Sequence, residues 1–275
     1  MTDWRLLISL PAHGALNMAT DEAIVEAVAR KDAPPTLRFF AWNPPCISLG
    51  YAQPLSDVDP ERLAERGWDV VRRPTGGRAI LHTDELTYSA IAPLDEPRVF
   101  GGVLESYRRL SAGLLRGVER LGLLARSDSA AESDFASLDM EGGQPICFET
   151  PSRYEITAMD KKLIGSAQVR KRGVVLQHGT LPLTGDIARI CDALAFAGEG
   201  DREAAKARLR QRATTVAEVL GYEIGWGTAA EAMAAGFAEA LDLRLVPGRL
   251  SADEATQADR LVAEKYGFAG WTKRL

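Results

Sequence analysis

Between Thr36 and Ile91 the chain breaks into short stretches of β-branched and aromatic residues separated by Pro and Gly turns. Thr36 to Trp42, Cys46 to Tyr51, Trp68 to Arg73, Arg78 to His82 and Leu86 to Ile91 each have the length and composition of a strand. They read as a run of strands, not as alternating βαβ units. Helical periodicity brackets the run. Asn17 to Arg30 places Ile24, Val25 and Val28 on one face of an alanine-rich helix that Pro34-Pro35 ends. Val103, Leu104, Tyr107, Leu114, Leu115, Val118 and Leu121 recur with helical spacing, and Gly122 suits the helix end.

Strands return at Tyr154 to Met159, Leu163 to Val169 and Val174 to Leu183, with Asp160-Lys161 as a tight hairpin turn. The last third is mainly helical. Thr215…Glu218, Thr228…Glu231 and Ser251…Glu254 each match a capping box, and Leu243 to Val246 reads as a short strand. Strands grouped apart from helices predict an α+β fold of mixed, largely antiparallel sheets flanked by helices. At 275 residues such a fold buries roughly 75 % of its unfolded surface and needs no metal or disulfide staple.

The formal net charge of −5 opposes wholesale nucleic-acid binding, which needs a basic face. Cys46, Cys147 and Cys191 are odd in number and widely spaced, and His13, His82 and His178 form no close pair. Neither set has metal-ligand spacing. The start lacks a charged n-region with an apolar run behind it, and no stretch of about 20 apolar residues occurs. The expectation is a cytoplasmic protein without a membrane partner. Ser127 to Glu141 holds five acidic residues and no basic one, and reads as an exposed loop.

Two segments carry residue types suited to chemistry. In Arg72-Arg73-Pro74-Thr75-Gly76-Gly77-Arg78-Ala79-Ile80-Leu81-His82, paired glycines let backbone approach a ligand closely, and the arginines suit an anionic partner. The same residues also fit a hairpin with solvated arginines. In Lys162-Leu163-Ile164-Gly165-Ser166-Ala167-Gln168, a lysine enters an apolar strand beside small residues, and Gln177-His178-Gly179-Thr180 follows. A surface lysine beside a packed strand is the alternative. Cys147, at a junction of loop and sheet, fits a reactive thiol or a small buried side chain. Cys46 and Cys191 fit buried hydrophobes.

Taken together, these segments and the opening Asn17-Met18-Ala19-Thr20-Asp21-Glu22-Ala23 resemble the biotin/lipoate protein ligase superfamily, in its lipoate ligase and octanoyltransferase branch. Within it the chain looks most like the LipM-type octanoyltransferases. Gly76-Gly77 is followed by Arg78, where ATP-dependent ligases usually carry a third glycine, and Cys147 lies ahead of Lys162 as the acyl-carrying cysteine of that type does. Val175, three residues before His178, stands where the LipB type has its cysteine. The biotin-ligase Gly-Arg-Gly-Arg-Arg-Gly loop is missing.

The resemblance implies that the superfamily's catalytic-domain fold covers residues 1–246, with 247–275 a helical extension packed on the same core. It implies transfer of octanoyl from acyl carrier protein through a Cys147 thioester to a lysine of the glycine-cleavage H protein or another lipoyl domain. Lys162 would hold the thiolate. Backbone around Gly76, Gly77, Gly165 and Ser166 would offer amide donors, and Arg73 and His82 would shape the pocket. Ala167, Gln177 and His178 complete the implied substrate-binding set. Ile80, Leu81, Leu163 and Ile164 are candidates to line an acyl tunnel. Arg170, Lys171 and Arg172 are candidates to meet the acidic carrier protein. No ATP or metal is expected, because a thioester is already activated. The rival readings are an ATP-dependent lipoate or octanoate ligase, an amidotransferase passing octanoate from H protein to an E2 lipoyl domain, and a non-enzymatic acyl-binding relative.

Overall fold

The computed structural model describes residues 1–127 and 156–275. A strand precedes the first helix. Thr2–Ile8 (β1) buries Trp4 and Leu7 and runs parallel to Thr36–Phe40 (β2) across the helix Gly14–Arg30 (α1). This βαβ unit begins ahead of the run read as strands alone; within that run Cys46–Leu49 and Asp69–Arg72 also pair in parallel across the helix Pro60–Glu65, which corrects the reading of the run as free of βαβ units. The apolar residues of β1 (Trp4, Leu6, Leu7, Ile8) do not alternate, so the segment carries no clean strand signal.

Cys46–Leu49 (β3), the helix Pro60–Glu65 (α2), Asp69–Arg72 (β4) and Ile80–His82 (β5) follow. The three strands form a small sheet, with β3 central, parallel to β4 and antiparallel to β5. Glu85–Pro93 (β6) then returns to the larger sheet. The helix Val103–Arg120 (α3), Ala125–Ser127 (β7), Ile156–Ala158 (β8), Lys161–Lys171 (β9) and Val174–Pro182 (β10) come next. The remainder is Glu199–Arg212 (α4), Val216–Leu220 (α5), Trp226–Ala240 (α6), Leu243–Pro247 (β11), Ala252–Leu261 (α7) and Ala269–Thr272 (α8).

Among the described residues the larger sheet has the order β11-β1-β2-β6-β10-β9-β8-β7, parallel at β11-β1-β2 and antiparallel beyond. The fold is therefore α+β with mixed, largely antiparallel sheets flanked by helices, as the composition of the segments predicts. One face of the larger sheet packs Leu37, Phe39, Leu86, Tyr88 and Val175 against α3 and α6. The other face receives α1, whose Ile24, Val25 and Val28 meet Ile91, Val174 and Leu176. With α7 packed on its outer side, α1 is buried over almost its whole length, polar residues included. No helix among the described residues is long and apolar enough to cross a membrane.

Local departures have simple causes. Met159 and Asp160 both adopt positive φ (52° and 58°), so the β8–β9 turn sits one residue earlier than Asp160-Lys161. Helix α6 begins at Trp226 after Gly225, which places Thr228 inside its first turn instead of at the cap. Ser251 and Glu254 do form the reciprocal box. Cys191 lies in a 3₁₀ segment, Ile187–Ala193. Both Cys191 and Cys46 are buried, and burial first, then nearby Asp69 and Glu85, pushes the Cys46 thiol well above its usual range.

Candidate active site

The turn between β4 and β5 is built around its two arginines. Arg72 is fully buried and donates to the carbonyls of Gly50 (2.8 Å), Gln53 (2.5 Å) and Thr272 (2.8 Å). Arg73 donates to Ser48 O (2.7 Å), Gly76 O (2.8 Å) and Arg78 O (2.7 Å). A planar guanidinium spans such carbonyls at fixed spacing, so Arg73 ties both ends of the turn to β3. These arginines shape the turn, their donors aimed mainly at main-chain carbonyls. Gly77 takes φ +92°, and its carbonyl fills the space a Cβ on Gly50 would need, at 1.8 Å. Gly76 differs: its φ is not in the left-handed region, and a Cβ there would enter open space. The bare backbone at Gly76 leaves room for something outside the protein.

Two buried histidines flank this turn. On one side His82 Nε2 lies 2.7 Å from Ser48 Oγ, and His82 Nδ1 lies 2.5 Å from Glu85 Oε1. The ring stacks on Trp42 with centroids 4.0 Å apart. Trp42 Nε1 donates to Thr87 Oγ1 (2.8 Å), which donates to Glu85 (2.5 Å). On the other side His178 Nε2 lies 2.7 Å from Thr75 Oγ1, and His178 Nδ1 lies 3.8 Å from Asp21 Oδ2. Asp21 accepts from Arg38 (2.7 Å) and from Ser89 (2.5 Å).

Burial would raise the Asp21 carboxyl, but the Arg38 charge, His178 and Ser89 together hold it below the usual range. Burial pushes His178 below its ordinary value despite Asp21, with Arg73 and His82 adding to the fall. His178 is thus neutral at pH 7. With an ionised Asp21 on its Nδ1 side, the proton belongs on Nδ1, and Nε2 accepts from the Thr75 hydroxyl.

Strands β6, β10 and β9 supply the wall facing the turn. Residues alternate faces along a strand. His178, Gly165 and Ala167 share the α1 side: His178 is register partner of Ala167 and Ser89, and Thr180 of Gly165 and Thr87. Ser166 and Gln177 face the other way. Ser166 Oγ meets the Tyr88 hydroxyl (2.7 Å), which accepts from Gln177 Nε2 (3.0 Å), and Ser166 O accepts from Tyr107 (2.7 Å). Burial first raises Tyr88, to about 12, against these hydrogen bonds.

Lys162 is buried, with its carbonyl accepting from Thr214 N (3.0 Å). A bulge between the pairs Thr157–Lys162 and Ile156–Ile164 inserts Leu163, the device by which strands re-aim one side chain. The structure therefore joins the turn, through Thr75, to His178 on the sheet face that Gly165 and Ala167 share, with Arg73 and His82 supporting the turn. It places Ser166 and Gln177 on the opposite face.

Other expectations meet packing. Leu163 and Ile164 belong to the core under α3 and α6, while Ile80 and Leu81 belong to that of the small sheet, so these four line no common tunnel. The basic turn is paired within the chain, with Lys171 and Arg172 still half-exposed. Arg170 donates to Gly101 O and Gly102 O (both 2.7 Å), Lys171 pairs with Glu22 (2.8 Å) and Arg172 with Glu26 (3.0 Å). A cleft of about 30 Å³ lined by Leu81, Thr83, Glu85 and Pro182 holds only water-sized guests. No cluster of three metal-ligating side chains occurs among the described residues. Cys147, and the acidic loop beyond Ser127, lie outside them.

Sequence reasoning did not assign roles to Asp21, Arg38, Ser48, Thr75 and Glu85. One signal was present: Asn17 and Asp21, four apart, place polar side chains on a single face of an alanine-rich helix. Both bond Arg38.

Comparison with known proteins places this arrangement in context. The lipoyl protein ligase A/B catalytic domain matches residues 13–238. An octanoyltransferase LipM of Symbiobacterium thermophilum is 44 % identical, with 99 % of each chain covered. That of Kyrpidia tusciae is 42 % identical, with 100 % of each covered. Among solved structures, the archaeal bipartite lipoate protein ligase of Thermoplasma acidophilum superposes with a TM-score of 0.82 at 22 % identity, covering 99 % of this chain and 97 % of that one. A lipoate-protein ligase A bound with ATP gives 0.80 at 22 % identity, with 99 % of each covered. At such identities the structures speak for the fold.

Proposed function

The chain belongs to the lipoyl protein ligase A/B catalytic-domain family, and we infer that within it the protein is an octanoyltransferase of lipoate biosynthesis. The single observation that carries this reading is end-to-end similarity to LipM octanoyltransferases. The protein is thus an acyltransferase whose acceptor is a lipoyl-domain protein.

The finer steps are our proposal. Octanoyl arrives as a thioester on acyl carrier protein. The Cys147 thiolate attacks the carbonyl, the phosphopantetheine thiolate leaves, and octanoyl rests on Cys147. The ε-amine of a lysine on the glycine-cleavage H protein or another lipoyl domain then attacks and loses a proton, the bond to Cys147 sulfur breaks to free its thiolate, and octanoyl is left on the lysine as an amide. Lys162 suits linked tasks: as an ammonium it holds the Cys147 thiolate by charge and gives a proton to the departing phosphopantetheine thiolate, and as the resulting neutral amine it takes the proton of the attacking lysine. The bulge at Leu163 supports an inward lysine. Gly76 supports a close-lying chain, since its backbone borders open space. The thioester supplies the activation, so the proposal needs neither ATP nor metal, and it sets the reaction in the cytoplasm.

Intact-mass spectrometry tests it. The protein is mixed with octanoyl-acyl carrier protein without ATP, beside a Cys147→Ala sample. An octanoyl increment on the wild type alone, removed by hydroxylamine, is expected. Acylation of a lipoyl domain only with ATP and free octanoate would make the protein a ligase instead.

A further inference from the structure

Polar side chains on the α1 face of the larger sheet are consistently paired. Arg38 holds Asp21, Ser89 donates to Asp21, Thr87 donates to Glu85, and His178 meets Thr75. Thr180 breaks the rule. It is fully buried, and its Oγ1 has no hydrogen-bond partner among the described residues. An unpaired buried hydroxyl is costly, and valine has the same shape without that cost. Its surroundings identify what the hydroxyl is for. One register partner, Gly165, has no side chain to cover it; the other, Thr87, has its own hydroxyl bonded to both Glu85 and Trp42. Two residues back on the same face, His178 holds Thr75, beside the bare backbone of Gly76. Three residues before Gly165 is Lys162.

We propose that Thr180 is a catalytic residue whose hydroxyl donates to the acyl carbonyl oxygen as it becomes an oxyanion. This deepens the octanoyltransferase reading and rests on it. In each half-reaction the nucleophile forms a bond to the carbonyl carbon, and the C=O π pair moves onto oxygen. The pair returns as the bond to the leaving sulfur breaks. Thr180 gives a hydrogen bond throughout and transfers no proton, so nothing else is consumed. The reaction brings the acceptor that the free protein lacks, and the bond is strongest when oxygen carries full charge.

The test compares wild type, Thr180→Val and Thr180→Ser in octanoyl transfer from acyl carrier protein to a lipoyl-domain protein, with melting temperatures alongside. For the valine variant kcat should fall about 10²- to 10³-fold while KM for the donor stays within about threefold. Its melting temperature should hold or rise, because an unsatisfied hydroxyl has gone. Serine should restore kcat to within about tenfold of wild type. Wild-type kcat in the valine variant overturns the inference. So does an unfolded valine variant, which would make the hydroxyl a structural partner, and so does a serine variant as impaired as valine. Absence of transfer by the wild type overturns the octanoyltransferase reading, and Thr180 with it.

Discussion

The two histidines beside the glycine turn have the same partners by type and different architectures. His82 sits between Ser48 and Glu85, and His178 between Thr75 and Asp21. The first relay is tight and local. Glu85 is three residues along the chain, its contact is 2.5 Å, and Trp42 stacks on the ring. The second is loose and assembled from afar. Thr75 and His178 are 103 residues apart, and Asp21 stands off at 3.8 Å because Arg38 and Ser89 already occupy its oxygens. The difference assigns them separate work. The Glu85 relay fastens the small sheet to the start of β6 and, through Ser48, steadies Arg73. The Asp21 relay reaches across from the larger sheet and ties the turn to it at Thr75.

That contrast is most exposed by removing the acids. Asp21 neutralises Arg38 inside the protein, with both side chains about 2 % exposed or less. Asp21→Asn strands a buried cation, and the expected loss of folding stability is about 3–5 kcal/mol. Glu85→Gln strands no partner of that kind and should cost about 1–3 kcal/mol, the range for an impaired buried hydrogen bond. Urea midpoints at matched m-values rank the two. If Glu85→Gln proved the costlier, the division into an anchor that neutralises a buried cation and a local hydrogen-bonded fastener would be wrong.

Thr75 probes the other end of the long relay. Thr75→Val leaves His178 Nε2 without its donor and should cost about 0.5–1.5 kcal/mol of stability. Its effect on transfer should be larger, about tenfold or more in kcat, because a turn displaced by an ångström spoils the geometry of attack. Stopped assays with the mutant folded at working temperature separate the two losses. A Thr75→Val enzyme as active as wild type would show that His178 does not position the turn.

Much of this was legible in the residues. β-branched and aromatic runs announced β2, β3, β4 and β6, and heptad-like apolar spacing announced α3. The Gly76-Gly77 turn and the Lys162 strand stood out because their residue types fit poorly with ordinary packing. Strand β1 escaped because its apolar residues follow no period, and it is held by parallel partners on either side. The relays escaped for another reason. Thr75, Asp21 and Ser89 are ordinary surface residue types, and only the register of β6 and β10 against α1 makes them neighbours. Alternation along β10 also separates Gln177 from His178, which adjacency in the sequence had joined.

The smallest effect expected is in the pH dependence of stability, and it separates the carboxylates from the imidazole. His178 has a folded pKa below its unfolded value, because burial disfavours the imidazolium. Above pH about 6.5 both states hold it neutral, and its contribution is fully present. As pH falls below that value the unfolded chain takes up a proton that the native protein refuses, so stability declines, by at most about 1.4 kcal/mol per pH unit. The carboxylates act lower down. Glu22 is held at about 2: burial opposes this, but bonds from Lys171, Lys265 and Tyr266 outweigh it. Asp21 is lowered as well. Both therefore keep their contribution above pH about 4.5 and lose it as pH falls further. Denaturation of wild type and His178→Gln between pH 7.5 and pH 5 isolates the imidazole, since neither carboxylate titrates in that window. The wild type should lose stability more steeply than the glutamine variant there. Parallel curves would mean that folding leaves the His178 pKa unshifted; a wild type that gained stability over the glutamine variant as pH fell would mean that His178 carries its proton in the folded protein, and the hydrogen bond drawn from Thr75 to His178 would have to be reversed.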